Sequence, residues 1–553
     1  MPRIFNPILP GFHPDPCMIR VGRYFYIATS TFEWWPGVQI HRSRDLGTWS
    51  LVGHALTRRS QLEMRGNPDS GGVWAPGLSH ADGQFWLVYS DVKALHGPYK
   101  DVRNYLVTSR KAEGPWSEPI PLNRSGFDPS LFHDADGRKW LLNQLWKPSV
   151  GLEAFDGIAL QEYSVRERRL VGDPVNIFAG TGLGKTEGPH LYRRGGYYYL
   201  LTAEGGTDWS HAVSVARSRK LTGPYQVCPD NPLLTSASAP GNPLQKAGHG
   251  SLAETADGRW FLAHLCSRPL VNTRRCLLGR ETALQPIAWT RDGWPRLAGG
   301  GREPAASFGL DGVEPSPYLR AFADEFERDR LDPHWSTLRE PPDAKWLSLV
   351  DRPGFLRMRG RDSLQSLFDQ SLVGFRLLHF HCAVSTRLEF SPRSYQQTAG
   401  LCLYYNTANF YYLYVTGDGA SGRRLGILGC DNRSYREVLE HPVVLPPEGG
   451  VRLKATVHGG RLAFAYSLEP DLVEVAIGPE LDSSILSDDY PAETGLGLAF
   501  TGAFAALCAQ DSSALRISAD FDWFHYEALS DAETPHRADP EKIRRNPHPP
   551  CYA

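Results

Sequence analysis

The run Tyr24-Phe25-Tyr26-Ile27 decides the fold of the first half of this chain, because its pattern returns four more times. Each copy is a short aromatic and aliphatic run that follows a glycine-containing turn, which is the pattern of a buried strand after a hairpin. The other copies are Phe85-Trp86-Leu87-Val88, Trp140-Leu141-Leu142, Tyr197-Tyr198-Tyr199-Leu200 and Trp260-Phe261-Leu262. A fivefold recurrence predicts a repeat architecture.

One polar or aromatic residue stands upstream of each run, beside a proline or a glycine. These five residues, called the anchors below, are Asp15, Trp74, Asp128, Glu187 and His249, at intervals of 59, 54, 59 and 62 residues. Units of that length with several short strands are typical of propeller blades. The innermost strand of each blade lines the central channel, so residues at one repeat phase converge there. The sequence predicts a five-bladed β-propeller over residues 1–305, with the anchors in a ring.

A second β-rich region follows the repeats. Residues 306–320 are predicted to form a linker, and residues 321–530 alternate apolar and polar side chains between Gly- and Asp-rich turns. This pattern predicts a β-sandwich of jelly-roll or concanavalin-like type, so the fold class is all-β. The last stretch, 531–553, is rich in charge and proline and is predicted to be a C-terminal tail.

Composition excludes several classes of function. The 553 residues, 41% of them hydrophobic, are enough for more than one core. A formal net charge of −2 gives no electrostatic footprint for nucleic acid or an anionic membrane. The nine cysteines form no CxxC pair, which is typical of reduced, buried thiols and not of a zinc site. Without a signal-peptide pattern or an apolar stretch of about 18 residues, we expect a cytoplasmic protein that binds neither nucleic acid nor membrane.

Three of the anchors are acidic and stand in restrained motifs. Asp15 lies between two prolines and Asp128 precedes one, and proline restricts its own backbone and that of the residue before it. A structural turn is the commoner fate of a lone Asp-Pro, but two at one repeat phase favour function. Glu187 follows the glycine-rich stretch 180–186, which resembles a phosphate-binding loop. That interpretation fails because Ala179 stands where the loop needs glycine, and a strand follows where it needs a helix.

The remaining candidates each have a structural alternative. His249 can be a core histidine, a donor to substrate or a ligand to a buried ion, and its repeat phase favours a pocket role. Phe32, Trp74 and Trp146 occupy loops beside the anchor strands, where stacking on a sugar competes with core packing. A surface salt bridge is the default for Arg280.

Six motifs in combination resemble glycoside hydrolase family 43, and within it the β-xylosidase group. They span residues 6–16, 31–38, 73–76, 126–130, 186–190 and 279–282. Thr501-Gly502-Ala503-Phe504 is similar to the segment of that family that reaches back over the active site. The resemblance implies a five-bladed propeller followed by a sandwich. It also implies removal of single β-xylosyl units from the non-reducing end of xylo-oligosaccharides, with side activity on α-L-arabinofuranosides.

The resemblance further implies the roles of individual residues in an inverting reaction. Asp15 would be the general base, Glu187 the general acid, and Asp128 would orient Glu187 and keep its pKa high. This division agrees with the chemistry, since inversion needs two carboxyl groups about 6.5–9.5 Å apart and a third carboxylate disfavours ionisation of the acid. The residues implied to bind the sugar are Phe32, Trp74, Trp146, His249, Arg280 and Phe504.

The chemistry requires no cofactor. Some members of the family carry calcium near the histidine, so calcium at His249 is compatible with the resemblance but is not predicted by it. Two alternatives stay open: an α-L-arabinofuranosidase or arabinan-degrading enzyme with the same acids, and a non-catalytic carbohydrate-binding protein. The expected partners are a xylo-oligosaccharide substrate and further copies of this chain, in a dimer or tetramer.

Overall fold

The computed structural model describes residues 2–151, 153–315, 317–419 and 422–530. The predicted tail at 531–553 lies outside the described residues. Short helical segments occur at Ser483–Ile485 and Asp489–Glu493, and the described parts of the chain are otherwise strands and loops. None of the described helices is long and apolar enough to cross a membrane. The predicted fold class, an all-β five-bladed propeller followed by a sandwich, is confirmed.

Each blade is an antiparallel sheet whose described strands follow one another in chain order. Blade 1 comprises Cys17–Val21, Tyr24–Thr29, Gly37–Ser43 and Ser50–Leu56, and blade 2 comprises Gly72–Ala81, Gln84–Ala94, Asp101–Ser109 and Ile120–Pro121. Blade 3 comprises Ser130–His133, Lys139–Trp146, Phe155–Ser164 and Arg169–Phe178. Blade 4 comprises Glu187–Arg194, Tyr197–Glu204, Ala212–Ser218 and Gln226–Val227, with Leu234–Thr235 beside its third strand. Blade 5 comprises Gln245–Glu254, Trp260–Ser267, Glu281–Trp289 and Pro295–Leu297.

The repeated aromatic runs are the second strands of the blades. Their central aliphatic residues have no exposed surface: Ile27, Leu87, Leu142, Leu200 and Leu262. Strands covered on both faces by neighbouring blades need such continuous apolar runs. The first strand of each blade contacts the first strands of the two neighbouring blades, so the first strands form a closed ring. This ring brings the anchors together.

The second region is a sandwich of two antiparallel sheets around one apolar core. The inner sheet, which faces the propeller, contains Ser336–Leu338, Ser371–Arg376, Phe504–Asp511, Gln397–Asn406, Asn409–Gly417, Arg423–Asp431, Ser434–Glu437 and Val443–Val444. The outer sheet contains Ala321–Asp324, Leu347–Ser348, Leu356–Arg359, Ser518–Ala528, His381–Phe390, Val451–His458, Arg461–Leu468 and Val475–Asp482. Along the inner sheet Leu401 and Leu403 face the core, whereas Cys402 and Tyr404 face the propeller. This period of two buries both faces of the inner sheet.

The two regions share a sheet. Trp34–Trp35, from the loop after the second strand of blade 1, pairs with Ser336–Leu338 and extends the inner sheet. The Trp34 ring stacks on Phe504, with ring centroids 3.7 Å apart. Ser307–Gly309, at the start of the predicted linker, pairs with Arg3–Phe5. Because strands cross the junction, the sandwich is held against the propeller in one orientation.

An ion pair between a buried arginine and a half-buried aspartate lies at this junction. Arg339 is 1% exposed and donates to Asp69 Oδ1 at 2.7 Å and to the Asn67 carbonyl at 2.7 Å. Its backbone N–H donates to the carbonyl oxygen of Glu33 at 2.9 Å. Burial and the nearby Asp69 raise the pKa of the Glu33 carboxyl to about 8, although Arg339 opposes the shift. Arg339 is therefore the cation that balances the acids of the junction.

We expect Arg339→Leu to lower the free energy of unfolding by about 1–3 kcal/mol, because the buried Asn67 carbonyl would lose its donor and the half-buried Asp69 its cation. Urea unfolding followed by tryptophan fluorescence measures the change. Arg328→Leu is the matched control, since Arg328 is half-exposed and forms a surface pair with Asp332, and its stability should stay close to that of the wild type. Equal stability of both variants would contradict the role given to Arg339.

Candidate active site

The anchors lie at or near the start of the first strands, at one end of the ring. Each has a residue with positive φ at the anchor or next to it. The φ values are 55° at Asp15, 54° at Asp128 and 43° at His249, and the residues after Trp74 and Glu187 are Ala75 at 24° and Gly188 at 56°. Left-handed conformations and irregular ladders of this kind bend a strand and re-aim a side chain. The same local geometry therefore recurs around the channel and gathers the anchors.

Asp15 is held as a carboxylate. It is 5% exposed, accepts a hydrogen bond from the Ser30 hydroxyl at 2.6 Å and pairs with Arg280 Nη1 at 3.1 Å. Burial alone would raise the pKa of Asp15, but the Arg280 charge, His249 and the Ser30 hydroxyl outweigh it and lower the pKa below its usual value. Asp15 is thus ionised at neutral pH and able to accept a proton.

Glu187 and Asp128 form a second acidic group across the ring. Asp128 Oδ2 accepts a hydrogen bond from the Gly188 N–H at 3.1 Å, which ties it to the residue after Glu187. Burial and the charge of Asp15 raise the pKa of Glu187 to about 8. Burial, Glu187 and Asp15 raise the pKa of Asp128 well above its usual range. The two carboxyl groups titrate together and hold a proton at neutral pH, whereas Asp15 holds none.

The loop before Glu187 is fixed from beneath by Glu204, a residue that the sequence patterns did not single out. Glu204 is fully buried and accepts hydrogen bonds from the Thr181 N–H at 2.7 Å and the Thr186 hydroxyl at 2.9 Å. A Cβ at Gly180 would lie 2.0 Å from Thr186 Oγ1, so glycine is needed there. The glycines that imitate a phosphate-binding loop serve this close packing. Glu204 was missed because it ends a second strand, away from the anchor phase.

Aromatic rings surround the acids. Phe32 and Trp74 lie with ring centroids 6.1 Å apart, and Trp74 meets Phe127 edge-on at 5.4 Å. Trp146 packs against Phe127 at 6.0 Å and donates its indole N–H to the Pro98 carbonyl at 2.9 Å. Lys100 Nζ lies 4.5 Å from the Trp146 ring centroid. Phe32, Trp74 and Trp146 therefore form one apolar wall beside the acids, although Trp74 and Trp146 lie in the strands Gly72–Ala81 and Lys139–Trp146 and not in the predicted loops.

The sandwich reaches the site through Phe500. Its ring is half-buried and lies 5.9 Å from Phe32 and 5.6 Å from Trp74 between centroids. Its carbonyl accepts a hydrogen bond from Arg280 Nη2 at 3.0 Å. Arg280, 4% exposed, thus binds Asp15 and the sandwich at once. We call the group formed by the side chains of Asp15, Phe32, Trp74, Arg280 and Phe500 the glycone pocket, because the resemblance to family 43 implies that the sugar binds here.

Phe504, which was predicted to line the pocket, lies elsewhere. It begins an inner-sheet strand, has no exposed surface and packs on Trp34 and Phe12. A Cβ at Gly374 would lie 3.2 Å from its ring, so it is enclosed on the sheet side as well. Phe504 supports the wall from behind, and Phe500, four residues earlier, is the sandwich residue at the pocket.

His249 lies against the acid group. A Cβ at Gly188 would lie 2.9 Å from His249 Cε1. Burial lowers the pKa of His249; Asp15 opposes this shift and Arg280 adds to it, so the imidazole is neutral at pH 7. His190 and His211 are its close neighbours, since its charge would lower the pKa of each. His249 is placed to donate or accept a hydrogen bond in the channel.

The side chains around His249 would supply few of the oxygen ligands of a calcium ion. Calcium takes about six to eight oxygen ligands, whereas this position offers imidazoles and a carboxylate already bound to Arg280 and Ser30. Among the described residues, metal-ligand spacing occurs at Cys276, Asp488 and Asp489. There the Lys246 ammonium lies 2.5 Å from Asp489 Oδ1. That ammonium already supplies the positive charge, so we derive no step through a metal ion.

Comparisons with known proteins agree with this geometry. Residues 4–295 match the family described as Glycosyl hydrolases family 43, and residues 323–527 match the Beta xylosidase C-terminal Concanavalin A-like domain. The chain is 48% identical over 537 residues to the Beta-xylosidase of Bacillus subtilis (strain 168), covering 95% of this chain and 99% of that protein. It is 48% identical over 539 residues to Xylosidase/arabinosidase 43B of Humicola insolens, covering 96% and 98%. The crystal structure of xylan beta-1,4-xylosidase from Bacillus Halodurans C-125 has a TM-score of 0.91 at 50% identity, covering 95% of this chain and 100% of that one.

We expect Phe500→Ala and Phe504→Ala to have opposite effects. Phe504→Ala should lower the free energy of unfolding by about 3–5 kcal/mol, since it leaves a cavity under Trp34, with little change in KM for a glycoside. Phe500→Ala should raise that KM about tenfold, equivalent to ~1.4 kcal/mol of binding, and leave stability nearly unchanged. Thermal unfolding and steady-state kinetics measure both. The reverse pattern would restore Phe504 as the pocket residue.

Proposed function

The chain belongs to glycosyl hydrolase family 43 and is a glycoside hydrolase, and on this premise we propose its substrate and mechanism. It is an inverting, exo-acting enzyme that releases β-D-xylose from the non-reducing end of xylo-oligosaccharides, with side activity on α-L-arabinofuranosides. Relatives 48% identical over nearly the whole chain, described as a beta-xylosidase and a xylosidase/arabinosidase, support this substrate class.

One observation carries the reaction type: carboxyl groups in opposite protonation states share one channel. Asp15 is kept ionised by Arg280, while the pair formed by Glu187 and Asp128 keeps a proton to about pH 8. An ionised and a protonated carboxyl group poised together at neutral pH are what glycoside hydrolysis needs, and the resemblance to family 43 favours the single displacement.

The general base is Asp15. It accepts a proton from a water molecule as that water attacks the anomeric carbon. The Arg280 and Ser30 contacts hold its two oxygens, so the basic lone pair points in a fixed direction. Arg280 also limits basicity, because it stabilises the carboxylate. Proton transfer from the water to Asp15 is therefore favoured more by the position of the carboxylate than by its basicity.

The general acid is Glu187. It donates its proton to the glycosidic oxygen as the bond to the anomeric carbon breaks. Asp128 acts through it: the hydrogen bond from Gly188 to Asp128 fixes the backbone beside Glu187. Burial and the negative charge of Asp15 disfavour a Glu187 carboxylate, which keeps the acid protonated in the resting enzyme. Products leave with Asp15 protonated and Glu187 ionised, and solvent restores both.

Closure of the glycone pocket supports exo action. Phe32, Trp74 and Phe500 contact one another and stand beside Arg280, so the pocket is walled by aromatic rings on the side of the sandwich. Apolar rings suit the faces of a pentose, and the buried guanidinium and imidazole suit its hydroxyl groups. A xylopyranosyl unit lacks the exocyclic carbon of a hexopyranose and therefore needs less room between these walls.

Two further expectations concern the state of the protein. The eight cysteines in the described residues are free and buried, which supports a reducing, cytoplasmic location. A homo-oligomer, dimer or tetramer, is part of the proposal, and light scattering of the purified protein at several concentrations measures it. Both are independent of the mechanism.

The function is tested with xylobiose, 4-nitrophenyl β-D-xyloside and 4-nitrophenyl α-L-arabinofuranoside, and with NMR of the first-formed xylose anomer. We expect α-xylose first, a higher kcat/KM on xylosides, and a loss of about 10²–10⁴-fold in Asp15→Asn. β-Xylose as the first product would exclude inversion. Preference for the arabinofuranoside would favour the arabinofuranosidase alternative, and sugar binding without hydrolysis would favour the binding protein.

Removal of the acid should depend on the leaving group. In Glu187→Ala the rate on xylobiose should fall by about 10²–10⁴-fold, and much less on 4-nitrophenyl β-xyloside, whose leaving group needs little protonation. The wild-type kcat/KM should decline as pH rises through about 8, where Glu187 loses its proton, and this alkaline limb should vanish in the variant. Glu254→Ala, at the exposed end of a blade 5 first strand, is the control. Equal losses on both substrates would contradict the assignment.

A further inference from the structure

Ser70 binds three separate elements around the glycone pocket. It lies between blades 1 and 2, is 3% exposed and has a φ of 60°. Its N–H donates to Glu33 Oε2 at 3.1 Å, and its carbonyl accepts from the Trp74 indole N–H at 2.8 Å. Its hydroxyl oxygen accepts from the Phe500 N–H at 3.0 Å. A non-glycine residue in this conformation is strained and persists only where its surroundings fix it.

The two aromatic residues that Ser70 binds carry adjoining walls of the pocket. Trp74 comes from blade 2 and Phe500 from the sandwich, and they meet edge-on with centroids 5.6 Å apart. One residue thus sets the separation of walls that belong to different parts of the fold. Glu33, itself beside the Trp34–Trp35 strand of the inner sheet, holds the Ser70 backbone in place.

The Phe500 main chain is bound on two sides. Its N–H meets Ser70, and its carbonyl accepts from Arg280, which pairs with Asp15. Phe500, a residue of the sandwich, is therefore hydrogen-bonded both to the loop before blade 2 and to blade 5. This series of polar contacts runs from Ser70 through the Phe500 main chain to Arg280 and ends at Asp15, the proposed base.

The segment that carries Phe500, residues 489–503, is also hydrogen-bonded to the propeller at both of its ends. Asp489 binds the Lys246 ammonium and accepts from the Cys276 N–H at 2.8 Å. At the other end the Ala503 N–H donates to the Leu277 carbonyl at 3.1 Å. All three partners lie in or near blade 5, on one side of the mouth. Ser70 is the contact that draws Phe500 towards blade 2.

We propose that Ser70 is a positioning residue that sets Phe500 against Trp74 and Arg280 and so fixes the width of the glycone pocket. The inference rests on the proposed function, because it assigns the pocket to the sugar that is released. Ser70 touches no substrate and acts through the two rings. Its contribution is to binding shared by ground state and transition state, which appears in KM rather than in kcat.

The first test is the kinetics of Ser70→Ala and Ser70→Gly on 4-nitrophenyl β-xyloside. Both remove the acceptor for the Phe500 N–H, while Gly also relieves the positive φ. We expect both to raise KM about 5- to 20-fold and to change kcat less than about threefold, as for one lost hydrogen bond to a buried N–H. Ser348→Ala is the control, since Ser348 is a buried serine that accepts backbone N–H groups in the outer sheet.

A double-mutant cycle separates positioning from general destabilisation. If Ser70 acts through the Phe500 ring, Ser70→Ala should add less than about twofold to the KM of Phe500→Ala. Additive effects of the two substitutions would overturn the proposal. Wild-type kinetics in Ser70→Gly with raised KM in Ser70→Ala would also overturn it, because the backbone and not the hydroxyl would then be responsible.

A readout without catalysis tells this inference from the proposed function. Hydrogen exchange at the Phe500 amide, resolved by fragmentation mass spectrometry, should become at least about tenfold faster in Ser70→Ala than in the wild type and in Ser348→Ala. Unchanged exchange would overturn the role of Ser70 even if the enzyme is a xylosidase. Faster exchange in a protein that hydrolyses none of the pentosides would keep the contact and reject the function.

Discussion

Three carboxyl groups at one mouth of a channel, of which Asp15 and Asp128 are buried and Glu187 is half-buried, are the constraint around which the site is arranged. Their joint ionisation would be costly in this environment, and the chain meets the cost in two ways. Arg280 neutralises Asp15, and the group formed by Asp128 and Glu187 retains a proton. The difference between base and acid is thus a consequence of where one guanidinium is placed. The aromatic rings and His249 around these groups bury Asp15 and Asp128, and burial strengthens electrostatic effects of this kind.

The sandwich completes this arrangement and does not merely cover it. Arg280 is held by Asp15 on one side and by the Phe500 carbonyl on the other, so the counter-ion of the base depends on a residue more than 200 positions later. The inner sheet that carries this segment also receives Trp34–Trp35 from blade 1. The added Trp34–Trp35 strand and the hydrogen bonds of Arg339 fix the sandwich against the propeller. Single polar contacts such as that of Ser70 can therefore set the positions of the pocket residues.

The spacing of the repeats predicted the anchors, because residues at equivalent positions of successive propeller blades lie close together in space. Asp15, Asp128 and Glu187 could be found in this way, and Glu204 and Ser70 could not, since their partners are set by packing between elements and leave no period. Phe504 shows the limit of a local motif. Phe504 begins an inner-sheet strand, and its ring packs against Trp34. Phe500 precedes that strand, and hydrogen bonds to Ser70 and Arg280 hold it at the pocket. No pattern in residues 500–504 encodes those distant partners.

The recurring positive φ at the anchors explains how one repeat can supply different chemistry. In a regular strand, alternate side chains point to opposite faces of the sheet, and neither direction is along the channel axis. A left-handed residue at Asp15, Asp128 or His249 breaks that alternation and turns the side chain towards the mouth. The strain of such residues is of order 1–3 kcal/mol each, and the ladder that follows each bend helps to hold it in place. The geometry is therefore a property of the blade and the chemistry a property of the residue. A carboxylate, a ring or an imidazole can stand at the same phase without altering the fold.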